Sequence, residues 1–102
     1  MKEIDMTYYR KQIDALDEQI IDLLAQRTRL VQQLMVLKKG QDDTSIRSCD
    51  RVRLVLEKVR KLAESKGMPP EIAVSTYSTL IQELTEMQIR ALDPKHQLEN
   101  AQ

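Results

Sequence analysis

Three observations predict an all-α fold of three helices for this 102-residue chain. Apolar residues recur at steps of three and four, the period of an amphipathic helix, over most of the length. Only 2 Gly and 3 Pro are present, too little turn chemistry for a multi-stranded sheet. Phe and Trp are absent and Tyr occurs 3 times, so any core must be aliphatic. Hydrophobic residues at 41% suffice for a core, and the length suits one domain.

The first helix is written in the row Tyr9, Ile13, Leu16, Ile20, Leu23, Leu24, Leu30, Val31, Leu34 and Leu37, which forms one stripe. No Gly or Pro interrupts residues 2–39, and Gly40 is placed to end the helix in a left-handed cap. A helix over about residues 5–39 is roughly 50 Å long, against a radius of gyration near 13 Å for a compact domain of this size. It must overhang its own chain, so its stripe needs cover from a second chain. An obligate oligomer is expected, and a dimer is the simplest one.

Residues 40–48 are a polar connection, with Ser48 a suitable N-cap for the next helix. Val52, Val55, Leu56, Val59, Leu62 and Ala63 form the second stripe, which stops before Gly67. Pro69 and Pro70 suit the first turn of a third helix. Ile72, Ala73, Tyr77, Leu80, Ile81, Leu84, Met87 and Ala91 are its expected buried face, and Asp93-Pro94 stops it. The helical domain is therefore placed at residues 1–94, with 95–102 a disordered tail.

The charges exclude several function classes. With 16 basic and 16 acidic residues the net charge is zero, which argues against nucleic acid, whose phosphates require a basic excess. The single cysteine, Cys49, allows no internal disulfide and has neither a His partner nor a Cys-x-x-Cys spacing, so it reads as inert. The start is broken by charge and no apolar run approaches a membrane span, which points to a soluble cytoplasmic protein. No metal cluster, phosphate-cradling glycine loop or nucleophile motif occurs, and the lone His96 falls in the tail.

The informative residues interrupt the stripes. Arg27 falls seven residues after Ile20 and three before Leu30, in the middle of the first apolar row. An unpaired guanidinium there would lose several kcal/mol, so it must meet an acidic partner or an anionic ligand. Lys38 lies three turns further on nearly the same face, with Cα atoms about 16 Å apart, so two long side chains can converge on a small anion. Gln88 interrupts the third helix's apolar row, and Arg51 stands at the start of the second. Each has a plain structural reading: pairing or snorkelling for Arg27, a satisfied core amide for Gln88, an i,i+4 ion pair with Asp14 for Arg10. Four cations and an amide across three helices, in a chain with no net positive charge, favour an anion site.

Arg10-Lys-Gln-Ile-Asp-Ala-Leu-Asp-Glu-Gln-Ile-Ile-Asp-Leu-Leu-Ala-Gln-Arg27, followed by Lys38, Asp50-Arg51 and Gln88, resembles the all-helical AroQ-type chorismate mutases over residues 6–92. The resemblance implies an intertwined homodimer of three-helix chains. It implies that Arg10 reaches into the partner's pocket, while Arg27, Lys38, Arg51 and Gln88 line the pocket of their own chain. The implied reaction rearranges the dianion chorismate to prephenate through a pericyclic transition state, without a cofactor or metal. Arg10 and Arg27 would hold carboxylates as planar forks. Lys38 and Gln88 would be the catalytic donors at the ether oxygen, where negative charge grows as the C–O bond stretches.

Three pocket positions depart from the family pattern. Val52 stands where the family has a Glu that accepts from the ring hydroxyl, Ser48 where it has an Asp, and Leu84 where it has a Ser. The Arg-Val pair with a retained Gln is also similar to isochorismate pyruvate lyases, which convert isochorismate to salicylate and pyruvate on the same fold. Chorismate mutase is therefore the first expectation and isochorismate pyruvate lyase the alternative. Aminodeoxychorismate mutase and a non-enzymatic helical interaction module stand further back.

Overall fold

The computed structural model describes residues 2–37 and 49–92, with side chains over 5–37 and 50–91. Three helices make up these segments: α1 (Lys2–Leu37), α2 (Cys49–Ser65) and α3 (Pro70–Leu92). They fall into two units, one holding α1 and the other α2 with α3. Gly40, Ser48, the Asp93-Pro94 stop, His96 and the tail 95–102 lie outside the described residues.

α1 begins earlier than its apolar stripe, because no Gly or Pro before Tyr9 breaks the backbone ladder. Its 36 residues rise about 54 Å. Gln26 Nε2 donates to Asp22 Oδ2 at 3.0 Å, an i,i+4 pair on the polar side. Near the N-terminus the rings of Tyr8 and Tyr9 meet edge to face, 5.4 Å apart at 76°. The apolar stripe is open. Tyr9, Ile13, Leu16, Ile20, Leu23, Leu30 and Leu34 keep between 49% and 65% of their surface exposed. Leu24, Val31 and Met35 are half-buried, and no described side chain of α1 is fully buried. A row of aliphatic groups this long is not stable against water by itself.

α2 and α3 form a helical hairpin. The turn between them is set by backbone chemistry. Gly67 takes φ +74°, the left-handed region that only Gly enters without penalty. The N–H of Met68 donates to the Ala63 carbonyl at 2.9 Å and that of Gly67 to Glu64 at 3.2 Å, the paired bonds of a Schellman cap. Pro70 opens α3 at the position where its missing N–H is harmless, with Ile72 N–H donating to the Pro69 carbonyl at 3.2 Å. Asp50 and Glu71 place carboxylates in the first turns of α2 and α3, and Arg90 places a cation in the last turn of α3.

The hairpin core is built on small residues near the turn. Ala63 and Ala73 are buried, at 5% and 7% exposure, which brings the two backbones close. Away from the turn, Val52, Val55, Leu56 and Val59 of α2 and Tyr77, Leu80, Ile81, Leu84 and Met87 of α3 are half-buried. Leu62 and Ile72 belong to the expected stripes but are 47% and 54% exposed. Each is one residue, about 100° of helix rotation, from a buried alanine, so the face that carries the alanines inward turns them outward. Ala91, near the end of α3, is likewise exposed.

Candidate active site

The hairpin brings four of the expected site residues to one end. Val52 lies about three turns before Ala63 on α2, and Leu84 about three turns after Ala73 on α3. The two helices run away from one turn, so Val52 and Leu84 stand at the same level. Arg51 immediately precedes Val52, and Gln88 lies one turn beyond Leu84 on the same face. A cation, an amide and two aliphatic side chains therefore gather at the end of the hairpin far from Gly67.

Gln88 is the most unusual of these. At 9% exposure it is the buried polar side chain among the described residues. It continues the row Ala73, Tyr77, Leu80, Leu84 in steps of three and four, where an aliphatic side chain would pack without a hydrogen-bond requirement. An amide carries two N–H donors and stays neutral at any ordinary pH. Such a group supplies fixed donors in a low-dielectric setting. Arg51 is exposed at the mouth of this end, and it has an interaction partner in the fold.

α1 carries the other cations. Arg27 is half-buried, in agreement with its place inside the apolar stripe, and it too has an interaction partner. Arg10 is exposed and makes no ion pair with Asp14, so the i,i+4 pairing does not account for it among the described residues. Arg10 and Arg27 are separated by about 26 Å along the helix and about a quarter-turn around it. A guanidinium reaches roughly 7 Å from its own Cα. Both side chains lean toward the N-terminus, so neither closes the gap. Two arginines of one α1 helix thus do not reach a common point. Lys38 and Ser48 lie outside the described residues.

A shallow groove of about 430 Å³ runs along the outer face of α2, lined by Leu54, Glu57, Lys58, Lys61 and Leu62. Lys61 is half a helix turn away from Val52, so this groove is not part of the Arg51–Gln88 end. The adjacent Glu57 is in an ion pair with Arg60 at 2.9 Å, on an exposed surface where such pairs contribute little. Among the described residues no group of His, Cys, Asp and Glu is arranged to hold a metal ion, and no helix is long and apolar enough to cross a membrane.

The described residues form three helices with one buried amide and an exposed apolar stripe on the first, which defines a small all-helical class of protein. The family described as "Chorismate mutase type II" matches residues 9–89, and the chain belongs to that family. A chorismate mutase of Methanocaldococcus jannaschii is 26% identical over 84 residues, which cover 82% of this chain and 84% of that protein. No solved structure matches the chain significantly. The match spans most of α1, all of α2 and nearly all of α3, so the membership concerns all three helices. Arg27 and Gln88 were visible in the sequence as polar breaks. Arg10 carried no such signal, because an arginine among exposed residues is ordinary.

Proposed function

We propose that this chain rearranges chorismate to prephenate, as a homodimer in which each site takes Arg10 from the other copy. The observation that carries the reading is Gln88, a buried amide in an aliphatic row of a chain belonging to the chorismate mutase type II family. The helical domain covers residues 1–94.

The chemistry asks little of the protein beyond position and charge. Chorismate carries two carboxylates, and its rearrangement proceeds through one cyclic transition state without a covalent intermediate or proton transfer. Arg27 and the Arg10 of the second copy hold the carboxylates as bidentate forks, which selects the reactive conformer. Arg51 adds positive charge at the mouth. As the ether C–O bond lengthens, negative charge grows on its oxygen, where Lys38 and the Gln88 amide donate hydrogen bonds. All donors are pre-placed, so no group has to gain or lose a proton during the step, and no cofactor enters it.

Two features support the dimeric site. The open stripe from Tyr9 to Leu34 needs an apolar cover, and a second α1 is the self-complementary one. The separation of Arg10 from Arg27 along α1 also supports a reading in which the two bind substrate in different pockets. The direct test incubates the purified chain with chorismate and follows its disappearance and the appearance of prephenate. Saturable formation of prephenate without added cofactor is expected. Folded protein that leaves chorismate untouched, or that instead forms salicylate from isochorismate, contradicts the proposal.

A further inference from the structure

We infer that the outer face of α2 is a docking site for an acidic amphipathic helix of another protein, seated on Leu54 and Leu62 and held by Lys58 and Lys61. The inference is independent of the reaction proposed above, because this face lies on the side of α2 away from Val52.

Three observations lead to it. Leu54 and Leu62 stay 64% and 47% exposed, and both line the groove of about 430 Å³ on this face, about 12 Å apart along the helix. Lys58 and Lys61 lie between them in the chain; both are exposed, and among the described residues neither is in an ion pair. The carboxylate in the lining, Glu57, already meets Arg60 at 2.9 Å, so the groove keeps a positive charge. Charge is also segregated between helices: α2 holds five basic and three acidic residues and α3 one basic and three acidic, in a chain of zero net charge.

The whole lining comes from one helix, so the groove cannot enclose a small molecule, which a binding pocket buries over most of its surface. A second helix laid along α2 can match it. Apolar side chains at i and i+7 of such a helix fall about 10.5 Å apart, close to the spacing of Leu54 and Leu62. Carboxylates flanking that apolar row meet Lys58 and Lys61, whereas a basic row in the same place is repelled. The leucines supply the contact area and the lysines select the charge of the partner.

The test titrates the full-length protein into a labelled helical peptide of about 18 residues, with Leu at i and i+7 and Glu flanking them, and into a twin with Lys in place of every Glu. Fluorescence anisotropy should show saturable binding of the acidic peptide below about 1 mM, and binding of the basic twin at least about tenfold weaker. Leu54→Ala should weaken the acidic peptide several-fold. Lys58→Glu combined with Lys61→Glu should weaken it about tenfold and improve the basic twin, and both effects of the lysines should shrink at high salt. All three residues are exposed, and melting temperatures verify that the variants fold. No saturable binding of the acidic peptide, equal binding of the two peptides, or binding unchanged in the folded variants overturns the proposal. Weaker self-association of folded Leu54→Ala in sedimentation assigns the face to a second copy of the chain, and binding to phosphatidylserine vesicles in place of the acidic peptide assigns it to a membrane; either overturns the proposal.

Discussion

Replacing Ile20 by Ala separates a helix stripe that is covered by a second copy from one that stays in water. Ile20 sits in the middle of the α1 row and keeps 51% of its surface exposed within one chain. Burying an Ile completely contributes about 1.5–3 kcal/mol, so the uncovered half represents about 1 kcal/mol still to be gained. A two-fold interface uses the same residue twice, which makes the loss about 2 kcal/mol per dimer, or about 30-fold in the dissociation constant. In an isolated helix the same change runs the other way, because Ala has the higher helix propensity by a few tenths of a kcal/mol. The two cases thus differ in sign. Sedimentation equilibrium across a concentration series gives the dissociation constant, and melting temperatures over the same series report the linked stability. The dimeric account expects weaker association and a lower, concentration-dependent melting temperature. An Ile20→Ala protein that melts higher than the parent, at a temperature independent of concentration, refutes the reasoning.

Two further outcomes follow from other parts of the fold. Gly67→Ala forces a Cβ into a φ of +74°; nothing lies within 4 Å of that Cβ, so the penalty is purely conformational. It should destabilise the protein by about 1 kcal/mol without changing kcat, measured by denaturant unfolding alongside the chorismate assay. Gln88→Glu replaces a permanently neutral donor by a group that donates only when protonated. Activity of the variant should therefore rise as pH falls through the range of its carboxyl group, while the parent stays nearly flat from about pH 5 to 8. A flat profile for the variant would remove Gln88 from the reacting oxygen.

The helices were legible because their ends rest on local chemistry: Gly67 in a left-handed cap and Pro70 at the first position of α3 act on the backbone whatever surrounds them. Burial was less legible. Leu62 and Ile72 fit the helical period as well as their neighbours do. Only the burial of Ala63 and Ala73, a property of two helices together, decides that they face outward. The site residues divide in the same way. Arg27 and Gln88 stand out because each breaks an apolar row, and their half-buried and buried positions agree. Arg10 lies on a polar surface where charge is expected, so periodicity gives no reason to select it; family resemblance does. Val52 and Leu84 give no signal in the periodicity for the opposite reason, since an aliphatic residue in an aliphatic stripe is ordinary; only the family pattern singles them out.

The central claim is a site completed by a second copy of the chain, and mixing two inactive variants tests it most directly. Arg10→Ala and Arg27→Ala should each damage every site of their own homodimer, because the proposed pocket requires both arginines. In a heterodimer of the two, one pocket receives neither substitution and the other receives both. Free exchange of equal amounts makes half of the dimers mixed, each with one intact pocket, so activity should recover to about a quarter of the parent value. If exchange is demonstrated and the mixture stays as inactive as its components, Arg10 and Arg27 act within one chain and the shared site is contradicted.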